Sequence, residues 1–395
     1  MNPHRAALLP RGARTVTAAP PALAALRAAA LATTLLALVA LPALAQQSGA
    51  RGTGARRPAP TTRAESLYVS ADPADHSTRD WAEDIKNREA IDSTYAARSA
   101  GIMDFKKVTY RSPVGDMDIP AFLFQPLNKR GAKGHAAMIW VHGGVHSSWG
   151  ATMFPFVKEA VERGYVVIAP DYRGSTGYGE KHYRAIDYGA KEVDDVFGAY
   201  DYLKTLPHVD AERVGVMGWS HGGFITAHLL FRGETPLKAG AAIVPVTNLV
   251  FRLGYKGPRY QRDFSTQEGL RGLPHERQDE YIKRSPLYSV EKLQRPILVH
   301  VATNDEDVNY VEDQQLVWKL RALKPDLAET KVYVDPAPWG SSVGHAFSRR
   351  VDSKTLERVD SPEQIDSWNR TWTFFEWNLR PYLDLSKPQP PLRTR

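Results

Sequence analysis

Across residues 105–380, short apolar runs alternate with longer segments of helical period, and no other feature of the chain restricts its fold as far. "AAMIWVHGG" precedes "FPFVKEAVERG", "YVVIAPDYRG" precedes "KEVDDVFGAYDYLKTL", and "RVGVMGWS" precedes "GGFITAHLLF". "AGAAIVPV" stands alone, "PILVHVATND" precedes "VEDQQLVWKLRAL", and "TKVYVDP" precedes a last helix around "IDSWNRTWTFFEWNL". Continuous apolar runs read as strands buried on both faces, and strands separated by helices pair in parallel. The expected class is α/β, a mostly parallel central sheet with helices on both faces. Ahead of it, "KKVTYRSP", a turn at Gly115-Asp116 and "DIPAFLFQP" read as a strand pair. Residues 246–293 break the rhythm and are rich in Arg, Tyr, Pro and Gly. They are expected to form a cap or lid over one end of the sheet.

The α/β domain is expected over 105–385, with a helical extension over 65–104 that packs on its outside. Residues 46–64, rich in Gly, Ala, Arg and Pro, read as a disordered linker, and 386–395 as a flexible tail. Residues 1–45 read as an export signal. Arg27 precedes the uncharged run "AAALATTLLALVALPALA", which ends in the small-x-small pattern Ala43-Leu44-Ala45, so the mature chain is expected to begin near Gln46. The rival reading is an uncleaved anchor, but the run is Ala-rich and Pro42 interrupts it. The expected location is therefore periplasmic or secreted, with no stable membrane insertion once the signal is removed. The chain has no cysteine, so neither a disulfide nor a lipid-modified cysteine is available to it.

The net charge of +7 is inflated by the four arginines of the first 45 residues, which hold no acid. Beyond them it falls to +3, and no basic run with interleaved aromatics suggests nucleic acid. No His/Asp/Glu cluster has metal-ligand spacing, and neither a metal nor a cofactor is expected. "GSTGYG" (174–179) has the spacing of a dinucleotide fingerprint, but no helical run opens on it directly and the surrounding context is poor. His182 and His208 read as surface residues, and Trp318, Trp368, Trp372 and Trp377 as core.

"GVMGWSHGGF" (215–224) places Ser220 between Gly218 and Gly222, directly after an apolar run and before a helical one. A nucleophile elbow needs that context, with glycines two before and two after the serine so that strand and helix can pack around a strained turn. A serine nucleophile also needs a base and an acid, and in this architecture the chain order is Ser, acid, His. Asp305 and Asp307 both follow the strand "PILVHVA", and Asp305 is favoured as the first after the strand end. Downstream of Asp305 the chain holds a single histidine, His345, in the loop before the final helix. Two oxyanion donors are required. One is expected from the His221 amide and the other from "HGG", with Gly143 and Gly144 the candidates beside His142.

Together these stretches resemble the catalytic domain of the prolyl oligopeptidase family of serine peptidases. The resemblance rests on "WVHGGV", "APDYRGSTGYG", "VDAERVGVMGWSHGGF", "RSPLYSVEKLQRPILVHVATNDEDV" and "GHAF". It implies an α/β-hydrolase fold and an acid three residues before Val308, which again selects Asp305. Family members usually carry a β-propeller ahead of the catalytic domain, and the stretch 46–104 is far too short to hold one. Several relatives place a tyrosine where this chain has His142. Both departures leave acyl-transfer chemistry intact but bear on the substrate. The expected activity is cleavage of short peptides, with a small-ester carboxylesterase as the alternative.

Overall fold

The computed structural model describes residues 79–384 and 387. The signal and linker readings, and the tail apart from Lys387, lie outside the described residues. Eight strands form one sheet in the order β1-β2-β4-β3-β5-β6-β7-β8. They are β1 (Asp104–Arg111), β2 (Asp118–Gln125), β3 (His135–Val141), β4 (Val166–Pro170), β5 (Val209–Trp219), β6 (Ala239–Ile243), β7 (Ile297–Ala302) and β8 (Ala328–Tyr333). β1 pairs antiparallel with β2, and β2 antiparallel with β4; every other neighbouring pair is parallel. β2 alone therefore runs against the rest.

Burial on both faces explains the continuous apolar strands. In β3, Ala136, Met138 and Trp140 join one core cluster, while Ala137, Ile139 and Val141 join the other. The first cluster takes the buried stripes of α2 (Phe154–Glu162) and α10 (Pro362–Leu379), with Tyr95 from α1 (Trp81–Ser99). Trp140, Trp219, Trp368 and Trp372 meet there with ring centroids 5.1–6.4 Å apart. The second takes α4 (Lys191–Lys204), α5 (His221–Leu230) and α9 (Tyr310–Leu323).

Residues 246–293 fold into α6 (Leu249–Tyr255), α7 (Pro258–Ser265), α8 (Gln278–Lys283) and a 3-10 turn (Pro286–Lys292). Their apolar residues, among them Leu253, Phe264, Leu270 and Tyr281, extend the second cluster. The segment is thus built onto the core.

Several expectations need correction. Trp318 and Trp377 are 60% and 44% exposed, because α9 and α10 each turn one face to solvent. His182 is buried, with Nε2–H donating to the Tyr172 carbonyl at 3.0 Å. His208 is half-buried against Gln125. A six-residue helix, α3 (Gly179–Arg184), does open on the glycine-rich stretch.

The successive strands leave β3 in opposite directions: β4 lies on one side of it and β5 on the other. A sheet with such a reversal opens a crevice at the carboxyl ends of its strands, and ligands bind there.

Candidate active site

Ser220 follows β5 and heads α5, with φ 55° and ψ −119°. That conformation is costly for a residue with a Cβ and persists only where the surroundings enforce it. Here they do. The Ser220 N–H donates to the Ile243 carbonyl at 3.0 Å, and its own carbonyl accepts from Phe224 at 2.9 Å. The glycines make the turn possible by close approach. A Cβ on Gly222 would lie 2.3 Å from the Val141 oxygen, and one on Gly218 2.5 Å from the Gly222 carbonyl carbon. Strand β3, strand β5 and helix α5 meet at separations that exclude any side chain.

The loop after β3 lies against the serine. A Cβ on Gly143 would be 3.3 Å from Ser220 Cβ, and Gly144 turns the chain with φ 72°. His221 is the first residue of α5, and first-turn N–H groups have no intrahelical acceptor. His142 stacks on Tyr172 at 4.3 Å, its Nδ1–H donates to the Gly143 carbonyl at 3.1 Å, and its Nε2 bonds Ser175 Oγ at 2.9 Å. Burial pushes its pKa down to about 4, so the ring is neutral at pH 7. The His221 ring is buried among Tyr172, Tyr188 and Phe224, 3.5 Å from Glu192 Oε1. Desolvation drives that pair to its uncharged forms, lowering His221 to about 3 and raising Glu192 to about 8.

Asp305 and His345 come from the loops after β7 and β8. His345 Nδ1–H donates to Asp305 Oδ2 at 2.7 Å, and Asp305 Oδ1 accepts the Asp307 and Val308 amides at 2.8 and 2.9 Å. The buried carboxylate thus accepts three hydrogen bonds, two on Oδ1 and one on Oδ2. The two loops close up through Gly344 (φ 72°), where a Cβ would fall 2.6 Å from the Asp305 nitrogen. Asp307 takes the other side of the ring, with Oδ2 at 3.4 Å from His345 Nε2, and is half exposed. Lys256 Nζ donates to Asp307 Oδ1 at 2.8 Å, and Arg252 to its carbonyl at 3.2 Å. Against partial burial, His345, Arg252 and Lys256 hold the Asp307 carboxyl well below its usual range. Among the described residues no hydrogen bond joins Ser220 Oγ to His345, and such catalytic bonds often tighten only when substrate binds.

The structure thus brings Ser220, His221, Gly143 and Gly144 to the carboxyl ends of β3 and β5, and sets His345 on Asp305 in the loops at the carboxyl ends of the parallel strands β7 and β8. Sequence reasoning missed Glu192, Arg252 and Lys256, which support these groups without lying in a motif, and Ser175, which lies in the glycine-rich stretch but has no role legible there. Among the described residues no group of three or more His, Cys, Asp or Glu could hold a metal ion. No described helix is long and apolar enough to cross a membrane.

A sequence model of the prolyl oligopeptidase family, peptidase S9, matches residues 152–354. An uncharacterized peptidase, YuxL, of Bacillus subtilis is 30% identical over 267 residues, 67% of this chain and 38% of that protein. The acylamino-acid-releasing enzyme of Mus musculus is 28% identical over 52% of this chain and 29% of its own. The chain therefore spans well under half the length of these relatives. Among solved structures, the acylaminoacyl peptidase of Pyrococcus horikoshii superposes with a TM-score of 0.57 at 20% identity, covering 73% of this chain and 44% of that one. A puromycin-hydrolyzing peptidase of Mycobacterium tuberculosis gives 0.57 at 19% identity over 69% and 39%. Likeness at that identity establishes the fold, the α/β-hydrolase architecture expected from the sequence.

Proposed function

Because this chain belongs to the prolyl oligopeptidase family, we propose that it is an exported serine peptidase that cleaves short peptides through an acyl-enzyme. Ser220 Oγ attacks the carbonyl carbon while His345 Nε2 takes its proton. Asp305 holds the imidazole in the tautomer that leaves Nε2 free and stabilises the imidazolium. The negative oxygen is held by the His221 N–H and by that of Gly143 or Gly144. His345 then returns the proton to the departing amine, and water releases the acyl group by the same steps. Nε2 lies 3.4 Å from Asp307 Oδ2 in the structure, and its bond to Ser220 Oγ is expected to form when substrate fills the crevice.

The observation that carries this reading is the 2.7 Å His345–Asp305 pair, at the same carboxyl end of the parallel strands as a serine held at positive φ. In this reading the cap segment, with Tyr255 and Tyr260, shapes access to the acyl pocket, while Phe264 is buried in the core. The test compares the purified protein with Ser220→Ala on matched p-nitrophenyl esters and peptidyl p-nitroanilides. Ser220-dependent amide cleavage with kcat/KM approaching that for esters supports a peptidase. Efficient ester cleavage with negligible amide turnover replaces it with a carboxylesterase, and turnover that survives in Ser220→Ala removes both. Export is tested separately by N-terminal sequencing of the processed chain, expected to begin near Gln46.

A further inference from the structure

The helix ahead of the catalytic sheet reaches the oxyanion loop through one buried arginine. Arg88, in the middle of α1, is 3% exposed. Its Nη1–H donates to the Trp149 carbonyl at 2.9 Å and to Asp171 Oδ2 at 3.1 Å, and its Nε–H to Asp92 at 3.0 Å. The side chain passes over Gly177, where φ is 92° and a Cβ would lie 2.6 Å from Arg88 Cβ. The glycine-rich stretch whose spacing mimics a nucleotide fingerprint is shaped around this side chain.

From Asp171 the contacts continue into the loop that carries Gly143 and Gly144. Asp171 Oδ1 accepts the Trp149 N–H at 2.6 Å and lies 3.6 Å from His142 Nε2. The Thr176 N–H donates to the Ser147 carbonyl at 2.8 Å, and His146 Nδ1–H to the Gly174 carbonyl at 2.8 Å. Farther along α1, the Tyr95 hydroxyl donates to the Gly150 carbonyl at 2.8 Å. The loop 142–150 is thus fastened on one side by α1 and by 171–176, and on the other abuts Ser220.

We propose that α1 is a positioning element of the oxyanion hole and that Arg88 is its positioning residue, acting through Asp171 and Trp149. The proposal rests on the reading of Ser220 as nucleophile and of this loop as an oxyanion donor. A buried carboxylate that loses its cation is strongly unfavourable, and the surrounding groups rearrange to relieve it. Asp171 then keeps the Tyr178 hydroxyl, which donates to Oδ2 at 2.5 Å, and the Trp149 amide at 2.6 Å, with His142 3.6 Å away; the last two are the two ends of the donor loop. Displacement of a donor by about 1 Å costs on the order of a hundredfold in rate. An interaction made only in the transition state is lost from kcat and leaves KM unchanged.

The experiment uses the full chain with Arg88→Gln, Arg88→Lys and Gly177→Ala, the last keeping the guanidinium while displacing it. Each is measured for kcat and KM on a Ser220-dependent substrate and for affinity toward a peptidyl trifluoromethyl ketone, which forms an oxyanion on the serine. Thermal unfolding checks that each variant is folded. Arg88→Gln is expected to lose roughly a hundredfold in kcat with KM within about threefold, and ketone affinity should fall in parallel. Arg88→Lys, which keeps a charge beside Asp171, should recover most of the loss. Should Arg88→Gln fail to fold, Gly177→Ala is held to the same criterion. A folded variant with kcat within about twofold of the native chain, or a fall in kcat with undiminished ketone affinity, overturns the proposal. Failure of the underlying reading has a different signature, since Ser220→Ala would then turn over substrate as the native chain does.

Discussion

Asp305 and Asp307 are two positions apart, yet they face opposite nitrogens of one imidazole in different surroundings. Asp305 is buried, engaged by two amides and by Nδ1–H; Asp307 is half exposed and shared with Lys256 and Arg252. Only the first arrangement fixes a tautomer with Nε2 free to accept a proton. Asp305→Asn is therefore expected to reduce kcat by about 10⁴-fold, and Asp307→Asn by less than about tenfold. Steady-state kinetics of the two variants decide it, and the reverse ranking would transfer the orienting role to Asp307. Ser220 and His345 were legible because the chemistry demands a set chain order and the sequence offers one histidine in the required place. Arg88 was not legible, since an arginine inside a polar helix has the same sequence signature whether it faces solvent or a buried carboxylate. His182 misled for the matching reason: a single polar residue carries no record of the carbonyl that buries it.

At the scale of elements, the strands were legible because burial on both faces leaves no polar positions in them, and the long helices because their apolar residues recur at the helical period. Residues 246–293 were legible only as an interruption, because α6, α7 and α8 are too short to build a periodic stripe. Besides their apolar contacts they carry a buried polar anchor. Arg252 of α6 donates to the Tyr260 hydroxyl at 2.7 Å and the Tyr255 hydroxyl at 2.9 Å, and sits 3.5 Å from Glu312 of α9. Glu312 in turn accepts the Thr247 and Asn248 amides at 2.7 and 3.1 Å. Both charges are buried, so removing one strands the other. Arg252→Ala should destabilise the fold by about 3–5 kcal/mol in urea unfolding, the cost of breaking a buried pair. The same variant removes the donor to the Asp307 carbonyl, so a folded Arg252→Ala should also be slower than Lys256→Ala. Equal stability of Arg252→Ala and the native chain would mean that the cap segment is held by its apolar contacts alone.

Taken whole, the molecule keeps most of its histidines away from protons. Eight of them have pKa values lowered chiefly by burial, His142 to about 4 and both His221 and His300 to about 3 among them. Two carboxyls oppose this: desolvation raises Glu192 to about 8, and Asp313 well above its usual range, so the folded state holds their protons. A histidine lowered in the fold takes up its proton in the unfolded chain first. Stability therefore begins to fall as pH drops through about 6.5 and stops falling once the folded pKa is passed. With eight groups on one side and two on the other, the native chain should lose stability steadily on acidification from neutrality. His300 isolates one part of that slope. It lies in β7 at 0% exposure, with Nδ1 bonded to Ser367 Oγ at 2.9 Å and Nε2 without a hydrogen-bond partner among the described residues. His300→Asn deletes one such group, so its stability should depend less steeply on pH than the native chain's, by about 1.4 kcal/mol per pH unit between roughly pH 6 and pH 4. Urea unfolding of both proteins across that range measures the difference directly. Parallel curves would mean that His300 is charged in the folded core or uncoupled from folding, and the acid sensitivity would then have to come from elsewhere in the chain.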